Sequence, residues 1–275
     1  MVPPRIKHFL NAHSTATSRC EVLLGCCERH EREALNYSSL FLEVRKRDMS
    51  KNFEELRKRA VQSLIEAGII KRRIVAEAML RVPREEFIPE AYRDSAYVDS
   101  PIPIGYGQTT SALHMVAWMC EAAGLKPGDK VLEIGGGCGY MAAVYAEIVA
   151  PKDCEVKGHV YTIEIIEGLA KRAEENLRRL GYHDRVTVIR GDGSLGYPDA
   201  APYDAIIVTA ASPGVPRPLK EQLKIGGRLV IPVGTPYYFQ QLTLVRRKGE
   251  NEYEEVELGG CVFVPLRGKY GWNRD

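Results

Sequence analysis

The chain has 275 residues, 45% apolar and 27% charged, with 38 Lys and Arg against 36 Asp and Glu. A net charge of +2 lacks the basic excess that signals a nucleic-acid or membrane-surface partner, so neither is expected. No run is long and apolar enough to span a bilayer, and His8, Asn11, His13 and Arg19 interrupt any secretory leader, so a cytoplasmic chain is expected.

Residues 1–48 stand apart from the rest. They hold eight Lys and Arg and six Asp and Glu, which is the whole net excess, yet only one of the 25 Gly. The segment reads as foreign to the core. It is either a weakly ordered extension or upstream sequence before a true start at Met49, and the second reading is preferred. Cys20, Cys26, Cys27 and His30 lack the paired spacings of a zinc site, so no metal is expected. The seven cysteines contain no CxxC pair, which fits reduced thiols.

From Met49 the pattern becomes regular. Phe53, Leu56, Ala60, Val61, Leu64 and Ile65 share one helical face, and Gly68 stops that helix. Ile74, Val75, Ala78 and Met79 mark a second helix ending before Pro83. Pro89, Pro101, Pro103, Gly105 and Gly107 predict a loop region. Thr109, Thr110 and Ser111 then precede a helix through Ala123, closed by Gly124. Three hydroxyls at a helix N-terminus, with its free N–H groups and dipole, suit a carboxylate; plain N-capping needs only one of them. Residues 49–124 are thus a helical and substrate-binding region, and residues 125–275 the core.

The core alternates strands and helices. Strands are predicted at Val131–Ile134, His159–Ile163, Arg185–Ile189, Asp204–Thr209 and Arg228–Val233, with helices at Met141–Val149, Glu167–Leu180 and Pro218–Leu223. Leu242–Arg246 and Cys261–Pro265 read as late strands flanking a charged turn, Arg247–Glu255. This is an α/β pattern: a doubly wound, mostly parallel sheet with an antiparallel edge hairpin and an N-terminal helical region. No additional apolar helix calls for a second copy, so a monomer is expected.

Gly135, Gly136, Gly137 and Gly139 follow the first core strand, where a sharp turn and a close ligand need residues without Cβ. A nicotinamide fingerprint would need Gly or Ala at position 140, where Tyr140 stands. The pattern instead resembles motif I of the class I S-adenosylmethionine-dependent methyltransferases, a Rossmann-like fold. Glu164 ends the next strand and can accept from both ribose hydroxyls. In that family an acid at Asp192, beside Gly193, faces the adenine amine. Glu133 either orients the glycine turn or the methionine amine, or is structural. The expected cofactor site is therefore Glu133, Gly135, Gly137, Gly139, Glu164, Asp192 and Gly193.

No Asn/Asp-Pro-Pro-Tyr/Phe turn follows the fourth core strand, and no Pro-Cys dipeptide occurs, so two classes of base methyltransferase are excluded. Val82–Phe87, Ile104–Ser111, Val131–Tyr140, Gly191–Gly193, Tyr203–Ala211, Gly226–Gly234 and Phe263–Leu266 together resemble the protein-L-isoaspartate (D-aspartate) O-methyltransferase family. Gly136, Cys138 and Leu113 depart from its common residues. The resemblance implies methyl transfer from S-adenosylmethionine to the free α-carboxylate of isoaspartyl residues in damaged proteins and peptides. The ester then loses methanol to form a succinimide that partly opens to normal aspartate, and S-adenosylhomocysteine is the other product. It also implies Ser111 as the active-site serine, orienting the carboxylate with support from Thr109 and Thr110. His114 reads as a partly buried helix residue. Ser212–Pro218 is a candidate wall of the substrate groove, and Gln240 or Gln241 is expected to help close the cofactor site by family analogy. The alternatives are a class I methyltransferase acting on another carboxylate and a non-catalytic S-adenosylmethionine-binding protein.

Overall fold

The computed structural model describes residues 52–152, 154–236 and 238–272. The 1–48 extension, the start at Met49 and the Cys20–His30 group lie outside the described residues. Helix α1 covers residues 52–66 and α2 is Arg73–Arg81. The remaining helices are α3 (Leu113–Ala123), α4 (Tyr140–Val149), α5 (Glu167–Arg179) and α6 (Arg217–Glu221). A two-stranded hairpin, β1 (Ile102–Gly105) with β2 (Gln108–Thr110), precedes α3. The main sheet then comprises β3 (Lys130–Ile134), β4 (His159–Glu164), β5 (Val186–Arg190), β6 (Tyr203–Val208), β7 (Leu223–Gly234), β8 (Gln240–Arg247) and β9 (Tyr253–Cys261).

Its strand order is β5-β4-β3-β6-β7-β8-β9. The five strands from β5 to β7 run parallel, while β8 and β9 are antiparallel. The order reverses at β3, so β3 and its neighbours β4 and β6 form the switch point where such sheets bind ligands. Side chains alternate across β3. Val131 joins the core made with α1 to α5, whereas Leu132 and Ile134 join a second core with α6 and Leu266. Helix α4 is buried along its whole length between α2 and the sheet, which explains its unbroken apolar sequence. The N-terminal helices contribute Val61, Leu64, Val75 and Met79 to the same core as Val131 and Val230.

Three departures from the sequence reading have physical causes. The predicted loop before α3 contains the β1–β2 hairpin, whose strands are too short for a period to show. Thr109 and Thr110 consequently lie in β2, not at a helix N-terminus. The N-cap of α3 is Ala112, and the capping oxygen comes from Asp99, whose carboxylate accepts the His114 N–H at 2.9 Å. At the sheet edge, the charged stretch assigned to a turn gives up its last three residues to strand β9, which runs on from Tyr253 to Cys261. Glu254, Glu255 and Glu257 sit on an open edge, where charge is tolerated and discourages further pairing. Cys261–Pro265 leaves that strand as an extended segment, with Pro265 bridged to Ala211.

Candidate active site

Two clefts open at the carboxyl ends of β3, β4 and β6. The first lies over the glycine turn that follows β3. Gly135, Gly137, Glu164, Gly193 and Thr209 form its polar side, with Ile104, Ile163 and Ile166 among its apolar walls. The second is lined by Ser111, His114, Met115 and the segment 260–264. Thr109, Thr209 and Val264 line both. The clefts therefore adjoin at one point, as a reaction between two ligands requires.

The glycine turn makes the first cleft accessible. Gly135 has φ +93°, and a Cβ there would lie 2.4 Å from Thr209 Oγ1. That hydroxyl donates to the carbonyls of Ile134 and Gly135 at 3.0 and 2.7 Å, fixing the turn to the end of β6. Gly193 approaches from the third side; a Cβ there would meet Ile134 Cγ2 at 2.5 Å. Gly139 is the N-cap of α4 and packs on Leu177, outside the cleft lining.

Glu164 holds two turns at once. One carboxylate oxygen accepts the Gly137 N–H at 2.9 Å and the other accepts the Ile166 N–H at 2.9 Å. Each oxygen keeps a second lone pair, so the carboxylate can still accept from a vicinal diol in the cleft. Glu164→Gln puts an NH₂ against one of those N–H donors and breaks a bond whichever way the amide turns. S-adenosylhomocysteine affinity is expected to fall about 10- to 100-fold, the range of one lost charge-assisted hydrogen bond. Calorimetric titration checks this, and an unchanged affinity would remove Glu164 from the site.

Glu133 and Asp192 are placed differently from expectation. Glu133 shares the Val131 face of β3, is fully buried, and accepts from Thr162 Oγ1 at 2.6 Å, away from the cleft lining. Burial pushes its pKa up to about 8, partly offset by the Thr162 bond and reinforced by the Glu164 charge. An unfolded Glu ionises near 4.5, so folding takes up a proton between pH 4.5 and 8. Stability is therefore highest below that window and falls on the order of 5 kcal/mol through it. Glu133→Gln removes this loss, so its thermal midpoint relative to wild type should improve from pH 5 to pH 9. Parallel pH profiles would contradict a neutral Glu133.

Asp192 is committed to the chain itself. One oxygen accepts from Ser194 N and Oγ at 2.9 and 2.6 Å, and the other accepts the Lys269 N–H at 2.8 Å. Its neighbour Gly193 lines the cleft, and the C-terminal segment held by Asp192 supplies Leu266 and Arg267 to the same wall. Thr110 is likewise turned inward, buried against Cys138. Ser212 is buried and its loop lines neither cleft; the 260–264 segment takes that place. Gln240 is buried too. Its amide brackets Phe263 by accepting the Phe263 N–H at 2.7 Å and donating to the Phe263 carbonyl at 3.3 Å, so it shapes that wall from behind.

Ser111 reaches the second cleft. Among the described residues its hydroxyl has no hydrogen-bond partner, while its carbonyl accepts from Arg84 at 2.9 Å. His114 lies in the same cleft, with Nδ1 held by Asp99 at 2.9 Å. Serine, histidine and aspartate are thus all present, but no Ser111–His114 hydrogen bond joins them, so a hydrolase-type nucleophile is not assembled here. The pairing of His114 with Asp99 and the place of Thr209 between the clefts depend on packing, not on a local motif.

The family model for protein-L-isoaspartate(D-aspartate) O-methyltransferase matches residues 55–271. A protein-L-isoaspartate O-methyltransferase from Staphylothermus marinus is 56% identical over 224 residues, covering 82% of this chain and 99% of the relative. One solved protein-L-isoaspartate O-methyltransferase superimposes with a TM-score of 0.71 at 32% identity, covering 78% of this chain and 67% of that one. Another, from Plasmodium falciparum and in complex with S-adenosyl-L-homocysteine, gives 0.67 at 28% identity, covering 77% and 98%. This chain belongs to the protein-L-isoaspartate (D-aspartate) O-methyltransferase family.

Proposed function

We propose that the first cleft holds S-adenosylmethionine and the second holds the free α-carboxylate of an isoaspartyl residue, so that the enzyme starts the repair of damaged proteins and peptides. The observation that carries this reading is the meeting of the clefts at Thr109, Thr209 and Val264, with Ser111 in the second cleft beside it. The first cleft fits the group: Gly135 and Gly193 leave no room for a Cβ, and Glu164 offers two acceptor oxygens. S-adenosylmethionine, when bound, supplies a methyl group on a sulfonium that departs as a neutral thioether.

The residues of the chain have modest tasks. A carboxylate is already ionised at neutral pH, so no general base is required. Ser111 donates a hydrogen bond that fixes the acceptor oxygen. Thr109 and Thr209 border the meeting point and hold acceptor and donor in register. Ile104 and Val264 give apolar walls there and limit water. The methylated residue then loses methanol, closes to a succinimide and opens in part to aspartate. Among the described residues no helix is long and apolar enough to cross a membrane. We place the reaction in the cytoplasm and take the chain to act as a monomer.

The test pairs an isoaspartyl peptide with its aspartyl twin and follows transfer of a labelled methyl group. Methylation of the first alone is expected. Equal methylation of both, or of neither, would overturn the assignment.

A further inference from the structure

Arg84 is fully buried, although arginine is almost never enclosed without a carboxylate partner. It opens the short 3₁₀ turn Arg84–Glu86 after α2 and passes beneath the loop that presents Ser111. Its Nη2 donates to the Ser111 carbonyl at 2.9 Å and, at 3.5 Å, to the Ser100 carbonyl. The guanidinium carbon lies 5.5 Å from the ring centroid of Tyr140, the first residue of α4. Among the described residues Nε and Nη1 have no hydrogen-bond partner.

Each nearby acid is engaged elsewhere. Glu85 accepts from the Tyr97 hydroxyl, Glu86 pairs with Arg93 and Arg179, and Asp99 holds His114. Burial presses the Arg84 pKa down, yet a guanidinium keeps its proton near neutrality. Among the described residues the enclosed guanidinium therefore has no carboxylate in contact, and Asp99 acts on it only through space. One peptide unit separates it from the side chain of Ser111.

We infer that Arg84 is the positioning residue of the acceptor cleft: it fixes the Ser111 backbone, and its charge, with no carboxylate in contact, selects an ionised carboxylate over a neutral amide. This rests on the proposed function, and it goes further by assigning the charge preference to a residue that does not line the cleft. In a poorly screened interior the substrate's own carboxylate becomes the missing partner. Exposed cations would lose such an effect at high salt, whereas an enclosed one keeps most of it.

The experiment uses the full chain with S-adenosylhomocysteine bound. It measures affinity for an isoaspartyl peptide and for the same peptide with that α-carboxylate converted to a carboxamide. Wild type is expected to prefer the carboxylate. Arg84→Met should reduce the preference about tenfold, the order of one pKa-unit equivalent of lost interaction, with S-adenosylhomocysteine affinity within about twofold. Arg84→Lys should recover part of the preference. A folded Arg84→Met with the wild-type ratio would overturn the inference. Should that variant not fold, the wild-type ratio at 50 and 500 mM salt (about a threefold change in Debye length) decides. It should persist, and its collapse would assign the preference to surface charge. Failure of wild type to methylate the isoaspartyl peptide at all would instead remove the proposed function.

Discussion

Replacing Ser111 by Ala is expected to lower kcat/KM for an isoaspartyl peptide about 10- to 150-fold, the equivalent of one hydrogen bond to a charged group. The cofactor should bind as before, because Ser111 lines only the second cleft. The fold should also survive. Arg84 grips the Ser111 carbonyl, which alanine retains, and the Ser111 hydroxyl has no partner to lose among the described residues. Steady-state kinetics with an isoaspartyl peptide, alongside titration with S-adenosylhomocysteine, separates the two effects. Unchanged turnover would remove the role given to the hydroxyl. A parallel loss of cofactor binding would place Ser111 in the wrong cleft.

A larger effect on cofactor binding is expected from Gly135→Ala. The backbone conformation at φ +93° costs a side-chain-bearing residue about 1–3 kcal/mol. The added methyl would also stand 2.4 Å from Thr209 Oγ1, so the threonine must turn away or the loop must move. Either response disturbs residues that line the first cleft, and S-adenosylhomocysteine affinity should fall at least about 100-fold, the equivalent of some 3 kcal/mol. Thr209→Ala removes the atom in the way, at the cost of its two bonds to the turn. The double variant should therefore bind better than Gly135→Ala alone, the coupling expected of residues in contact. Affinity within threefold of wild type in Gly135→Ala would mean that the turn does not cradle the ligand.

Much of this organisation is legible in the sequence because it is local. The parallel strands carry short apolar runs between helical periods, and the glycine turn follows β3 without interruption. Ser111, Gly135, Glu164 and Gly193 could be proposed because each lies at the end of a recognisable element. Side-chain direction is less legible. Thr110 and Asp192 lie within the expected motifs, yet both turn into the protein, Thr110 against Cys138 and Asp192 toward Ser194 and the C-terminal segment. Glu133 could have been set aside from alternation alone, since it shares the parity of Val131 and faces the helices. Its acidity drew it toward the cofactor instead. Arg84, Asp99 and Thr209 depend on long-range packing. Arg84 meets a carbonyl 27 residues away, and Thr209 meets the glycine turn 74 and 75 residues away. No spacing within a motif encodes such meetings.

The clasp at Asp192 bears on how the first cleft is held closed. Leu266 and Arg267 wall the first cleft, and Lys269 and Tyr270 tie that wall down through Asp192 and Ser194. The cleft is thus closed by a segment that lies beyond the last strand of the sheet. A chain cut short before it would have a cleft open on one side and an Asp192 oxygen without its partner. Binding in the first cleft is thereby tied to the seating of this segment on Asp192 and Ser194.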